Sequence, residues 1–520
     1  MKKILLQADG RHALWRIRAE DKEKLLRLLF HRYPGKEWGT FFRFGFRRTP
    51  WGMLITMVDT IAPRPGDLDR QSAIVEFRTE YIQRALTSFD EGPLGVGVIH
   101  SHPEGCAVSA SLTDDDMDAY FAEEFERFSG GRPYASFIVA KDATRELHFS
   151  GRVFDRGEWL DLTTTLTVGT TLTREQSSRG RRFTTSRKEK PQADVLARVK
   201  DLLGEKTSHR LKDAVVGVVG ASGTGSPALN VLARSSIGKI VIVDPGQIKD
   251  SNHQRNLAMR YSDLESDIRP YKVALARRMI REIDRTIEVR SFAGDLLDEI
   301  VLDELVRCDV ILGCSDSNYA RAALGDIASQ YLVPVIDLAV QMRAEEGVLR
   351  EQLSEIAYYA PGLPCPWCCN RVTAEAIRYE TSTDAERAFM ANAANEAEGR
   401  GVDGAQYWGG TPPPELAVGY LTTMLGAMGA GYAQNLILGA GKIPHQRFQF
   451  DVGLPAFGLV EDVRKPSADC ACQKFIGWAD QAKPDRSVSK PSHWPANTEI
   501  NANSGDFEEP FGIRPRATVN

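Results

Sequence analysis

Residues 214–234 read AVVGVVGASGTGSPALNVLAR. A valine-rich run, a glycine-rich turn and apolar residues at helical spacing predict strand, turn and helix. Backbone N–H groups of such a turn, with the first turn of the helix, favour a phosphate. KIVIVD (239–244) predicts a second buried strand ending on Asp244, where an acid can bind ribose hydroxyls. Pro270–Ile283 reads as a helix, and DVILGC (309–314) and PVIDLAV (334–340) as strands. This alternation predicts a Rossmann-like, doubly wound parallel sheet. Gly220, Gly223 and Gly225 run G-x-x-G-x-G, with Ser222 where a dinucleotide dehydrogenase usually has its second glycine.

The chain has 520 residues, enough for two to four domains, with 42% hydrophobic and 26% charged residues, an ordinary globular balance. The net charge of −5 gives no reason to expect a nucleic-acid or anionic-membrane partner. The basic run Arg179–Lys190 reads as a solvated linker. The start, MKKILLQADG, holds no signal-peptide apolar region, and no stretch approaches the roughly 18 apolar residues of a membrane span. The expected compartment is the cytoplasm, where eight cysteines read as thiols or metal ligands. Residues 1–155 predict a mixed α/β domain from the strands TFFRFGF, GMLITMVD, GVGVIHSH and YASFIVA and the helices Asp21–Phe30 and Asp115–Phe128. Residues 156–204 read as a linker, whose Thr-rich part, TTTLTVGTTLT, can form an edge strand. Residues 205–480 make the second domain, with a Gly/Pro-rich loop (Gly399–Pro414) and an apolar helix near Gly419–Leu438. Residues 481–520 read as a polar, disordered tail.

In the first domain the segment VIHSHPEGCAVSASLTDDD carries chemistry. Residues i and i+2 of a strand point to one side, so His100 and His102 can meet one metal, and the following loop returns Ser111 and Asp114. Two imidazoles and one carboxylate leave a fourth zinc position open, the catalytic arrangement. Such a site needs a general base, for which Glu37, opening EWGTFFRFGF, is the candidate. A pair of core histidines beside a loop of acids is the alternative.

Glu37, His100-Ser101-His102-Pro103 and Ser111-Leu112-Thr113-Asp114 together resemble the JAB/JAMM metallopeptidases across most of residues 20–150. The resemblance implies a deaminase-like fold, catalytic Zn²⁺, stabilisation of the tetrahedral intermediate by Ser111, and hydrolysis of amide or isopeptide bonds after a ubiquitin-like C-terminus. Its Ser-x-x-Asp spacing selects Asp114 over Asp115 and Asp116.

After KIVIVD come Asn252 and Arg255 in DSNHQRN, Lys272, and Asp316 in CSDSN ahead of Arg321. In this order they resemble the ThiF/MoeB/HesA family and the adenylation half of ubiquitin-activating enzymes, over about residues 205–480. The resemblance implies ATP bound by Gly220, Gly223, Gly225 and Ser226, ribose held by Asp244, and phosphates held by Asn252, Arg255 and Lys272. It implies Mg²⁺ on Asp316. Relatives work as homodimers, some with an arginine supplied in trans, for which Arg182 or Arg187 is the weak match. Relatives also hold structural zinc with two C-x-x-C pairs. Here Cys365 and Cys368 keep that spacing while Cys470 and Cys472 run C-x-C, and four thiolates still permit tetrahedral zinc. Cys369 is the alternative ligand; Cys106, Cys308 and Cys314 read as structural.

No cysteine lies in residues 370–469, where thioester-forming relatives carry theirs. Three routes stay open: direct transfer of the adenylate, use of Cys369, or an oxyester on Thr381-Ser382-Thr383 or Thr411. The function expected is a processing peptidase fused to an activating enzyme for a ubiquitin-like protein, with a conjugating-enzyme-like partner in a bacterial pathway that resembles antiphage machinery. A sulfur-carrier activator and a non-catalytic scaffold are the alternatives.

Overall fold

The computed structural model describes residues 7–30, 36–71, 75–103, 108–142, 144–177, 200–202, 204–398, 417–441, 443, 446–454, 458, 460–461, 464–482 and 498–499. Cys106, Arg182, Arg187, Thr411, the Gly399–Pro414 loop, residues 178–199 and 203 of the expected linker, and most of the expected tail lie outside them. The chain divides into two units, 1–192 with 329–332 and 473–484, and 193–328 with 333–472 and 485–520.

The first unit contains strands β1 (Gln7–Arg18), β2 (Gly39–Thr49), β3 (Gly52–Ile61), β4 (Leu68–Gln71), β5 (Val75–Phe77), β6 (Gly95–Ser101), β7 (Tyr134–Lys141), β8 (Leu147–Asp155), β9 (Glu158–Val168) and β10 (Leu172–Gln176). Helices α1 (Ala19–Leu29), α2 (Thr79–Thr87) and α3 (Leu112–Phe128) interrupt them. The sheet order is β1-β3-β2-β6-β7-β8-β9-β10, and β1 also pairs with β9, so the strands close on themselves. β4 and β5 form a separate hairpin.

The alternation of β2 places a core on either side of the sheet. Phe42, Phe44 and Phe46 pack with Trp15, Leu25, Leu29 and Phe137, whereas Phe41 packs with Tyr81, Phe121 and Phe125. Each such side chain contributes about 1.5–3 kcal/mol on burial.

β9 and β10 correct the expected linker. Leu160, Leu162, Leu166 and Val168 are buried, and Thr164, Thr165 and Thr167 are buried with them. The Thr-rich composition hides a two-residue apolar period, and β-branched threonine suits a pleated sheet. β9 is an interior strand, pairing with β8, β10 and β1.

The second unit contains β11 (Val215–Val219), β12 (Lys239–Val243), β13 (Glu288–Ala293), β14 (Val310–Gly313), β15 (Val335–Glu345), β16 (Val348–Tyr359), β17 (Arg447–Asp451), β18 (Val460–Glu461) and β19 (Thr498–Glu499). Its helices are α4 (Glu205–Asp213), α5 (Gly225–Arg234), α6 (Lys272–Ile283), α7 (Glu299–Leu305), α8 (Asn318–Gln330, ending in the first unit), α9 (Ala374–Thr381), α10 (Asp384–Glu398), α11 (Gly419–Leu438) and α12 (Ala471–Lys474, shared likewise). The sheet order is β18-β17-β16-β15-β14-β11-β12-β13-β19, with β13, β12, β11, β14 and β15 parallel. β11 is entirely buried, which explains its unbroken apolar reading. β19 corrects the expected disordered tail at two residues: Thr498 and Glu499 pair with Ala293 and Phe292. An edge strand can recruit polar residues through main-chain pairing alone. No helix among the described residues is long and apolar enough to cross a membrane.

Candidate metal and nucleotide sites

β6 carries His100, and His102 follows its end, tied by its N–H to the Val139 carbonyl at 3.0 Å. Ser111 is the N-cap of α3 and Asp114 its N3 residue. Asp114 N donates to Ser111 Oγ at 3.2 Å, and Ser111 N donates to Asp114 Oδ2 at 2.7 Å. This capping box fixes the rotation of the helix that presents Asp114. His100 Nε2 lies 3.2 Å from His102 Nε2 and 3.1 Å from Asp114 Oδ1, and His102 Nε2 lies 3.5 Å from Asp114 Oδ2. Tetrahedral zinc with bonds of about 2.0–2.1 Å requires ligand–ligand edges of about 3.3–3.4 Å. The donor set therefore fits that ion in kind and in spacing.

Glu37 is buried beside them. Trp38 pairs with Ser101 through Ser101 N–H to Trp38 O at 2.9 Å, and Trp38 N donates to Ser101 Oγ at 3.1 Å. These bonds fix Glu37 next to the metal-ligand strand. Val75 N of the β4–β5 hairpin donates to Glu37 Oε2 at 3.2 Å. Burial pushes the Glu37 carboxyl up, Asp114 adds to the push, and the two imidazoles pull against it. Burial also opposes ionisation of Asp114, but the imidazoles and Ser111 N–H outweigh it and hold that carboxyl well below its usual range. Gly39, which the sequence reading passed over, is the register partner of His100. A Cβ there would stand 2.6 Å from Phe77 Cζ and 3.3 Å from His100 Cβ.

In the second unit the glycine turn follows β11. Gly220 has φ +96°, and a Cβ there would stand 2.6 Å from the Cys314 carbonyl oxygen. A Cβ on Gly225 would stand 1.9 Å from Gly220 O, so the turn that starts α5 demands both glycines. Asp244, at the end of β12, is buried and accepts from Ala221 N and Gly246 N, each at 2.8 Å. Lys272 opens α6 with Nζ 3.7 Å from Asp244 Oδ1. Asp316, after β14, is exposed. Its loop is held from two sides. Arg321 donates to Ser315 O at 3.2 Å and to the buried Asp337 at 2.8 Å, and Glu380 accepts from Asn318 N at 2.7 Å.

Some expected residues also hydrogen-bond the nearby backbone. Asn252 Oδ1 accepts from Lys249 N at 2.9 Å, and Ser226 Oγ accepts from Leu257 N at 2.9 Å. Arg255 donates to Ala417 O at 3.0 Å. Asn256 was missed although it lies in the quoted DSNHQRN run; its Nδ2 donates to Ala221 O at 3.3 Å, tying that run to the glycine turn.

Cys365, Cys368, Cys470 and Cys472 converge. Their Sγ separations are 3.8 Å (Cys365–Cys368), 3.6 Å (Cys365–Cys470) and 3.7 Å (Cys368–Cys472). Zinc–sulfur bonds of about 2.3 Å give tetrahedral edges of about 3.8 Å. Cys369 is buried with its Sγ 3.9 Å from Gln446 Nε2, outside this cluster.

The ThiF family model matches residues 196–474. Over 139 residues the chain is 33% identical to the adenylyltransferase and sulfurtransferase UBA4 of Kluyveromyces lactis, covering 26% of this chain and 30% of that protein. Over 128 residues it is 27% identical to the sulfur carrier protein ThiS adenylyltransferase of Escherichia coli, covering 25% and 49%. The chain thus spans between about a third and a half of these relatives' lengths. A crystal structure of E. coli MccB aligns at 16% identity with a TM-score of 0.40, covering 55% of this chain and 73% of that one.

Proposed function

The chain belongs to the ThiF family, and from that premise we propose that it acts twice on a ubiquitin-like carrier protein. The second unit adenylates the carrier's C-terminal carboxylate with ATP. The first is a zinc-dependent peptidase that hydrolyses the amide or isopeptide bond after that C-terminus.

The adenylation reading is supported chiefly by the glycine turn, Asp244, Lys272 and Asp316 standing at the C-terminal ends of parallel strands, the ligand edge of such sheets. A carboxylate oxygen of the carrier attacks the α-phosphorus of ATP, the bond to the bridging oxygen breaks, and pyrophosphate leaves with that electron pair. Arg255 and Lys272 offset the charge that gathers on the phosphates. Asp316 is the residue that would hold Mg²⁺, which would offset negative charge on the phosphates when bound. Pyrophosphate exchange into ATP that fails in the presence of candidate carriers would count against this reading.

The transfer step has a structural pointer. Thr381 and Ser382 donate their hydroxyls to the Ile377 and Arg378 carbonyls at 2.9 and 2.6 Å, and Thr383 pairs with Glu386. Cys369 is buried. These engagements favour direct hand-over of the adenylate. The names of the two relatives, a sulfurtransferase and a sulfur-carrier adenylyltransferase, support a sulfur carrier as the alternative substrate; homodimerisation goes with either form, and a conjugating-enzyme-like acceptor with the ubiquitin-like one.

The peptidase reading is supported by the convergence of His100, His102 and Asp114 beside Glu37. Zinc held there supplies Lewis-acid activation of water and of the scissile carbonyl. Glu37 takes the proton of the attacking water and passes it to the leaving amine. The Ser111 oxygen accepts from Asp114 N, which leaves its own O–H to donate to the developing oxyanion. Glu37→Gln should retain zinc and lose cleavage of carrier fusions by about 10²-fold or more; cleavage at the wild-type rate would refute the assignment.

A further inference from the structure

We propose that Arg152 is a positioning residue for the metal ligand Asp114, acting through Asp115 and Asp118. The inference rests on the peptidase reading of the first unit for the identity of the site it serves. Arg152 stands on β8 with its side chain 9% exposed. Its Nε donates to Asp118 Oδ2 at 2.6 Å, and a terminal nitrogen donates to Asp115 Oδ1 at 2.7 Å. The guanidinium also lies over the Trp159 ring, 4.8 Å from its centre, a stacking contact that favours the plane in which it meets the two carboxylates. Asp118 is 2% exposed.

Both carboxylates belong to α3, the helix that begins with Ser111 and Asp114. Asp118 lies one turn after Asp114, so a rotation or slide of α3 that moves one moves the other. The strand side is equally fixed. Arg152 is the register partner of Ser136, and Ser136 that of Val98, on the strand that carries His100. A continuous path therefore runs from the His100 strand across two hydrogen-bonded ladders to Arg152, and back through α3 to Asp114. The two sources of metal ligands, strand and helix, are referred to one sheet register.

A buried ion pair is weak evidence for stability, because apolar residues of similar volume often replace it without loss. That property separates positioning from a merely structural role. The test is the double variant Arg152→Met with Asp118→Leu, together with Asp115→Asn, in the full chain. Zinc affinity of this site is measured by chelator competition, with His100→Ala protein defining its absence, and the melting temperature is recorded beside it. We expect the double variant to melt within a few degrees of wild type while its zinc affinity at this site falls about tenfold or more. Asp115→Asn, which breaks the half-exposed contact alone, should weaken zinc by a smaller factor at unchanged melting temperature. Wild-type zinc affinity in a folded double variant would overturn the proposal. Should the double variant not fold, wild-type affinity in Asp115→Asn would overturn it instead. A wild-type protein that binds this zinc and cleaves no carrier fusion would end the peptidase reading and leave the positioning role intact.

Discussion

His100 Nε2 and Asp114 Oδ1 lie 3.1 Å apart, although one comes from the buried end of a strand and the other from the first turn of a helix. The carboxylate does two jobs there, since it also accepts from Ser111 N as half of a capping box. Asp114→Asn separates them. The amide oxygen still caps α3, so the stability of the metal-free protein should change by about 1 kcal/mol or less. The negative charge is lost, and zinc at this site should go with it. Metal analysis should read two zinc ions per wild-type chain and one, at the four cysteines, in the variant. Retention of both ions would remove Asp114 from the ligand set. Cys470→Ser should show the complementary loss, with a lowered melting temperature, because structural zinc contributes to folding.

Gly39→Ala tests how tightly the Glu37 strand is docked. The added methyl meets Phe77 Cζ at 2.6 Å on one side and His100 Cβ at 3.3 Å on the other. Relief requires a shift of the Phe77 ring or of the imidazole. Such overpacking costs about 1–3 kcal/mol. We expect a melting temperature lowered by several degrees and weaker zinc binding at the His100 site, both visible in a chelator series followed by circular dichroism. A variant with unchanged melting and zinc affinity would show that β2 and β6 have slack at this rung.

Much of this was legible in the sequence for physical reasons. β11, β12, β14 and α11 are apolar runs bounded by turn residues, and the expected helix Gly419–Leu438 matches α11 at both ends. The His100–His102 pair was legible because its spacing is a strand period; Asp114, expected in a loop, stands instead in the first turn of α3, where a capping box holds it. The closure of the first sheet was not readable. It depends on β1 pairing with both β3 and β9, contacts distant in sequence, and the threonines of β9 masked its period. Arg321, Asp337 and Glu380 around the Asp316 loop were invisible as a group for the same reason.

Asp244 shows a role beyond the expected contact with ribose. Both of its oxygens accept backbone N–H groups, one from the glycine turn and one from Gly246. Asp244→Asn turns one acceptor into a donor facing a buried N–H, which costs about 1–3 kcal/mol. The glycine turn should loosen, and nucleotide affinity should fall about tenfold. Isothermal titration with ATP and a thermal melt read the two effects. A variant that melts lower but binds ATP as tightly as wild type would confine Asp244 to a structural role.

Cys314 offers a test by pH. Burial pushes its thiol up from 9.0 to about 12, with Thr224 pulling the other way and Asp337 adding to the rise. At pH 8 about one molecule in ten thousand is then thiolate, against about one in ten for an unshifted thiol. Alkylation of Cys314 in the folded protein should accordingly run about a thousandfold slower than in the denatured chain, as peptide mapping by mass spectrometry would show. The linkage has a definite sign. The folded state keeps its proton where the unfolded state loses it, so the stability tied to the protonated thiol is complete below pH 9. It declines by about 1.4 kcal/mol per pH unit as pH rises from 9 towards 12. Cys314→Ala should therefore flatten the alkaline limb of a stability curve, leaving the region below pH 8 parallel to wild type. Rapid alkylation of Cys314 at pH 8, or an unaltered alkaline limb in Cys314→Ala, would place that thiol in contact with solvent and leave the Asp316 loop more open than the hydrogen bonds around it indicate.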